Sequence, residues 1–569
     1  MDKEKEEKQM KSNNIFVKTV VIILLTGITT TFFWSFKEGD DFKIAKSMDI
    51  FYSLFRDVNV YYVDETNPEK MVETGINAML EELDPYTVYI PEKDMDEFTF
   101  MTTGQYGGIG ALIRSTGEFP VVAKPYKNFP ADKAGLKAGD KILEIDGTPA
   151  NKISLEQVSE RLKGIPQTTV KLLIERPYSG EKIEKELVRE EIEIKSVPYY
   201  GVVDENIGYI RITKFTPDVS KDVKNALREL KAEHQIESVI LDLRGNPGGL
   251  LVEAPKICNL FIPKGEEIVS TKGKTKKWNQ TLKTNEAAYD TEIPLAVLVS
   301  RTSASASEIV AGAIQDFDRG VVVGQRTFGK GLVQTTIPLN YNAQLKVTTA
   351  KYYIPSGRCI QALDYTHRNE DGSVGHIPDS LISEYKTRNG RKVYDGGGIR
   401  PDVDVESEEV SQMSISLISQ NVVFNYATKF VYENPTIESV EKFAITDSIY
   451  EDFVAFALDQ DFDYETESEK ELKELVKITK RENYYQRVKK EIDALQNQLA
   501  NDKKEDLYAF KPEVIQFLRD EIVGRYYYEE GQIQANLKDD TQLEKAIDIL
   551  KNKERYHAIL SVENQMKEE

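Results

Sequence analysis

Cysteine and histidine are scarce in this chain, and basic residues are outnumbered by acidic ones. The two cysteines, Cys258 and Cys359, lie far apart. They allow at most one disulfide and exclude a disulfide-built scaffold, and no CxxC or mixed Cys/His pattern offers ligands to a structural zinc. The net charge is −21, with no basic stripe or patch, which excludes nucleic acid as the expected partner. Four histidines, His234, His367, His376 and His557, stand in polar or helical surroundings. None ends an apolar strand beside small residues, so a Ser–His–Asp triad is poorly supported, although His367 and His376 share a polar loop that keeps it open.

What is present suits several folded domains. The chain has 569 residues, 40% of them hydrophobic and 30% charged, more than one core can hold. One long apolar run occurs, at residues 19–36, without a charge. At 1.5 Å per residue it nearly crosses a hydrocarbon layer of ~30 Å. Lys11 and Lys18 precede it, while Glu38, Asp40 and Asp41 follow. That asymmetry predicts a signal-anchor with the bulk of the chain on the extracytoplasmic side. The alternative is a cleaved leader, but the bulky Phe32, Phe33 and Trp34 leave no clear small-residue cleavage site.

The texture then changes in blocks. Residues 42–100 carry apolar positions at three- and four-residue spacing and predict helices, the second stopped by Leu83-Asp84-Pro85-Tyr86-Thr87. Residues 101–191 read as short strands and turns around one amphipathic helix capped by Ser154. Residues 192–407 alternate strands and helices, as α/β layers do. Residues 408–569 are helical by periodicity, including a helix that starts with an Asp cap at Asp539-Asp540, and carry no chemical motif. The fold class expected is α+β and multidomain.

Four segments carry residues suited to chemistry. Ser303, Ser305 and Ser307 lie in a small-residue run that passes from a strand into a helix. A serine there can be held on a sharp turn beside free helix N–H groups, or can simply cap the helix. Lys330 stands between Gly329 and Gly331 in an apolar context and could act as a base if burial lowers its pKa; equally, it could sit on a hairpin tip. If the following strand begins at Lys330, Gln334 shares its face and could orient it or the substrate. The turn Arg244-Gly245-Asn246-Pro247-Gly248-Gly249 ends an apolar strand, and its paired glycines suit an oxyanion hole or an ordinary strand-to-helix turn. Finally, Tyr106-Gly107-Gly108-Ile109-Gly110-Ala111 could bind a peptide carboxylate through backbone N–H groups beside a strand edge.

Taken in order, LDPYT, GGIGALI, PADKAGLKAGDKILEIDG, GYIRITKF, LDLRGNPGGLL, TSASASEIVAGAIQD, TFGKGLVQ, KYYIPSGRCIQ and GGGIRPDVDV closely resemble the C-terminal-processing, or tail-specific, serine peptidase family. The likeness runs from about Phe42 to Val405. It implies a PDZ domain followed by a peptidase core. Ser305 is then the nucleophile, Lys330 the general base and Gln334 its support. The backbone N–H groups of Ala306 and Gly248 become the oxyanion donors, with Gly249 the competitor for the second place. Tyr106, Gly107, Gly108, Ile109 and Gly110 become the carboxylate-binding loop. No metal or cofactor is implied. The expected partners are proteins or peptides with exposed C-terminal tails, and a bacterial inner membrane through the anchor. Residues 408–569 lie beyond the likeness and are expected either to cap the catalytic domain or to dock an adaptor or second copy. The reading from another class is a membrane-tethered PDZ scaffold that binds tails without cutting.

Overall fold

The computed structural model describes residues 40–562 apart from 370, 407–409, 461 and 500–502. The apolar run at 19–36 lies outside the described residues; among those described, no helix is long and apolar enough to cross a membrane. The stretch before Leu83 is a unit of its own, with helices Asp40–Tyr61 and Pro68–Glu81. The side chain of Asn67 caps the second by accepting from the Lys70 N–H, with Pro68 at the first position where no donor is needed. That helix ends where Pro85 was expected to end it, but the next element is the strand Val88–Ile90, not a helix.

The described part of the unit from Leu83 onward has three large sheets, two of six strands and one of five that includes Val88–Ile90, Leu332–Pro338 and Gln344–Tyr353, with helices packed around them. Ala111–Ser115, Pro120–Pro125, Lys141–Ile145, Thr169–Glu175 and Lys182–Val188 form an antiparallel meander. Strands Gln105–Gly108 and Ala111–Ser115 are separated at Gly110, which takes a left-handed φ of +71°. Helix Leu155–Leu162 begins at Ser154, whose hydroxyl accepts from the Gln157 N–H, while Gln157 reaches back to the Ser154 N–H.

The second six-stranded sheet has the order Tyr199–Asp204, Ile207–Arg211, Ser238–Asp242, Leu295–Val299, Val321–Gly324 and Val403–Asp404. All pairings after the first are parallel. A parallel sheet needs cover on both faces, and its strands supply apolar side chains alternately to each. Val239, Leu241, Val297, Val299 and Val322 pack toward helices Val219–His234 and Ala306–Asp316. Ile240, Ala296, Leu298, Val321 and Val323 pack on the opposite face against Leu543, Ala546, Ile549 and Leu550. Those last four side chains belong to helix Thr541–Lys551, capped by Asp540. The end of the helical extension thus closes the second face of the central sheet, and each large side chain buried there contributes about 1.5–3 kcal/mol. The rest of the extension has a separate core around Tyr426, Tyr450, Phe453 and Leu518.

Both cysteines are free.

Candidate active site

The carboxyl ends of the parallel strands Ser238–Asp242 and Leu295–Val299 carry the glycine turn and the serine run side by side. Hydrogen bonds stitch the two loops together. Ser303 Oγ donates to the Leu243 carbonyl (2.8 Å), the Ala304 N–H to the Asn246 carbonyl (3.0 Å) and Ser307 Oγ to the same carbonyl (3.0 Å). Two of the three serines are therefore buried fasteners. Ser305, between them, is only half-buried and starts helix Ala306–Asp316. Its φ of +57° and ψ of −114° are costly for a residue with a Cβ, and the surrounding bonds hold it there.

Glu308, three residues on, is fully enclosed and went unnoticed in the sequence. Its carboxylate accepts the N–H groups of Ser305 (2.8 Å), Gly329 (2.7 Å) and Lys330 (2.9 Å), and the Thr327 hydroxyl (2.5 Å). One carboxylate thus holds the backbones of Ser305 and Lys330 together. Tyr352 Oη repeats the bracket from the other side, donating to the carbonyls of Ser305 (3.2 Å) and Lys330 (2.6 Å). Burial pushes the Glu308 carboxyl up to about 7, and its four donors pull against that shift. The signal that could have found Glu308 is the Ser-x-x-Glu spacing of a helix start.

Lys330 is half-buried. Burial, then the neighbouring Lys346, lowers its pKa to about 8, against smaller opposing effects of Asp84 and Glu308. Its ammonium lies 4.0 Å from the centre of the Tyr86 ring, a cation–π contact. Tyr86 is fixed by Asp84, which accepts from the N–H groups of Tyr86 and Thr87 (both 2.9 Å) and from Thr87 Oγ1 (3.1 Å). Gln334 does not share a strand face with Lys330 in the way the alternation predicts. The strand starts at Leu332, and a bulge falls between Val333 and Gln334. Gln334 Nε2 donates to Thr348 Oγ1 (3.1 Å), whose backbone N–H reaches Thr87 Oγ1 (3.1 Å). Its bond is to Thr348 on the paired strand, and among the described residues no hydrogen bond joins it to Lys330.

On the glycine turn, Gly248 has φ +96°, and an added Cβ would lie 2.7 Å from the Ala304 carbonyl oxygen, 2.8 Å from Ser305 Cβ and 2.9 Å from the Ala306 nitrogen. Glycine is required by both conformation and space, and the turn abuts the serine. Among the described residues the Ala306 N–H has no partner, whereas the Gly248 N–H donates to Asn246 Oδ1 (2.8 Å). One expected oxyanion donor is free and the other is held by a side chain. Gly249 faces the Phe215 carbonyl, against which a Cβ would come within 2.2 Å. His367 is 82% exposed and bonded to Asp364 (2.8 Å); among the described residues no hydrogen bond joins a histidine to Ser305.

Of the expected carboxylate-binding loop, Tyr106, Gly107 and Gly108 lie in strand Gln105–Gly108, paired with Glu190–Glu193, and only Ile109 and Gly110 form the link to Ala111; the segment borders a cleft of about 370 Å³ lined by Tyr106, Ile109, Ala111, Ile113, Leu155 and Leu162. The Ala131 N–H bonds the Ile109 carbonyl (2.8 Å) and the Tyr126 N–H the Gly110 carbonyl (2.9 Å). Among the described residues, strand Ala111–Ser115 pairs on one edge only, leaving the other for an added strand.

Over 357 residues the chain is 35% identical to the carboxy-terminal-processing protease of Bartonella bacilliformis, covering 62% of this chain and 79% of that protein. The chain belongs to the C-terminal-processing serine peptidases. Models of peptidase family S41, of the PDZ domain and of a probable PDZ-protease C-terminal helical domain match residues 206–367, 98–175 and 413–550. A probable CtpA-like serine protease of Staphylococcus aureus is 33% identical over 352 residues, 61% of this chain and 69% of its own. A solved photosystem II D1 C-terminal processing protease is 26% identical, with 63% of this chain and 92% of that one covered and a TM-score of 0.33. In this peptidase the family S41 match spans the Gly248 turn, Ser305 and Lys330, the PDZ match spans the 106–111 loop, and the helical-domain match reaches Asp540.

Proposed function

We propose that this peptidase cuts extracytoplasmic proteins with a Ser305–Lys330 dyad, its PDZ cleft taking C-terminal or unstructured tails. The observation that carries this is the Glu308 bracket, which binds the N–H groups of both residues at 2.8 and 2.9 Å. Neutral Lys330 takes the proton from Ser305 Oγ as the oxygen attacks the scissile carbonyl. The Ala306 N–H, joined by the Gly248 N–H once it leaves Asn246 Oδ1, binds the oxyanion. Lys330 returns its proton to the leaving amine, and water then releases the acyl group. Gln334 supports the lysine indirectly, through Thr348 and the Tyr86 loop. The Tyr86 contact and the engaged Gly248 N–H favour a resting form, in which the lysine must leave the ring and the glycine amide must turn before the first step. The uncharged run at 19–36 anchors the chain in the membrane, with the peptidase outside.

The test is cleavage of an unfolded protein by wild type, Ser305→Ala and Lys330→Ala, read by mass spectrometry. Both variants should fold and lose at least ~10³-fold in rate. Substantial cleavage by folded Lys330→Ala would sink the dyad.

A further inference from the structure

Under the glycine turn lies a buried charge cluster that the dyad chemistry does not use. Asp242, fully buried at the end of its strand, accepts Tyr209 Oη (2.6 Å) and pairs with Arg211 (2.6 Å). It also takes the Arg244 backbone N–H (2.9 Å), Nε (3.0 Å) and Nη2 (2.7 Å). The far side of the Arg244 guanidinium is gripped from the helical extension. Asp540 accepts Nη1 at 2.8 Å and Nη2 at 2.6 Å, and Gln542 Oε1 accepts Nη1 at 3.2 Å. Burial alone would raise the Asp242 carboxyl, but Arg244 and Arg211 hold it well below the usual carboxylate range.

Charge balance shows what the extension adds. The peptidase domain supplies two arginines and one aspartate, an excess of one largely buried positive charge. Asp540 cancels it. Removing one partner of such a cluster is unfavourable, so the docked extension adds to the grip that Asp242 already has on the Arg244 guanidinium. Arg244 immediately precedes the turn whose Gly248 touches Ser305 and Ala306. The turn is also fastened by the Gly245 N–H to Ser300 Oγ (3.0 Å), by Asn246 Nδ2 to the Ile212 carbonyl (2.9 Å), and by the Ala304 and Ser307 donors on the Asn246 carbonyl.

We propose that Asp540 is a positioning residue of the peptidase: by clamping Arg244 it fixes the strand end from which the oxyanion turn springs, making the helical extension a working part of the catalytic centre. The proposal rests on the Gly248 turn serving the oxyanion. Misplacing a reacting group by an ångström costs up to about a hundredfold in rate, and a clamp of this kind acts on the transition state more than on substrate binding.

The experiment measures kcat, KM and Tm of the full chain on a quenched peptide. Asp540→Asn removes the charge yet keeps a good helix cap for the Leu543 N–H. It should lower kcat between about ten- and a hundredfold with KM unchanged, and Asp540→Glu should recover most of the loss. Asp539→Asn, which breaks only the partly exposed pair with Arg519, should leave kcat unchanged. If Asp540→Asn does not fold, Gln542→Met takes its place, with an expected fall of about threefold in kcat. A lowered Tm with wild-type kcat, or a change confined to KM, overturns the proposal. Wild type without Ser305-dependent turnover overturns the peptidase reading instead; normal wild-type turnover matched by folded Asp540→Asn overturns the clamp alone.

Discussion

Replacing Lys346 with glutamine tests whether Lys330 is the base, because the two lysines repel. Only neutral Lys330 can take the Ser305 proton, so kcat/KM should rise tenfold per pH unit and level off above about 8. At pH 7 about one Lys330 in eleven is neutral; at the ordinary value of 10.5 it would be about one in three thousand. The depressed pKa is therefore worth roughly 300-fold at neutral pH. Burial is the larger cause and Lys346 the second. Lys346→Gln should shift the limb toward higher pH, by less than burial contributes, and lower the pH 7 rate with the plateau unchanged. Tyr86→Leu acts in the opposite sense. The ring favours the ammonium by about 0.5–1 kcal/mol, so its loss should move the limb to lower pH by about half a unit. The assay is kcat/KM on a quenched peptide from pH 6 to 10. A midpoint that neither variant moves, or one near 6.5 that disappears in His367→Ala or His376→Ala, would refute the assignment of Lys330.

Gly248→Ala should inactivate, because the new Cβ meets three atoms of the serine loop within 3 Å at a φ of +96°. A loss of about 10²–10³ in kcat with tail-peptide binding retained is expected, and isothermal titration beside steady-state kinetics checks it. Glu308→Gln places an amide NH₂ against backbone donors that now meet carboxylate oxygens. It should destabilise by about 2–4 kcal/mol, and the folded fraction should cut slowly, as measured by denaturant unfolding and single-turnover rates.

The glycine turn, the serine run and the lysine were legible in the sequence because each chemistry leaves a local mark: paired glycines where the chain turns left-handed, small residues where a loop enters a helix, a lysine between glycines in apolar company. The α/β layering was legible for a similar reason, since strands such as Ser238–Asp242 and helices such as Val219–His234 announce their character over a few residues. The order of motifs then carried the family.

Partnership across distant segments was decided only by the fold. That Glu308, and not Ser303 or Ser307, ties the serine to the lysine depends on Thr327–Lys330 returning over the helix start. That Gln334 turns to Thr348 depends on a bulge, which shifts side-chain parity without changing composition. The Gly248 amide is held by Asn246 because of a side-chain rotamer, which no spacing encodes. The helical extension was expected either to cap the catalytic domain or to dock an adaptor or second copy, its amphipathic period showing an apolar face but not what that face covers. Tertiary packing set Leu543 and Ile549 on the open side of a parallel sheet that must be covered on both faces, and with them brought Asp540 to Arg244. The sequence alone determined which residues were chemically able to act; the long-range packing of strands and helices decided which of them meet.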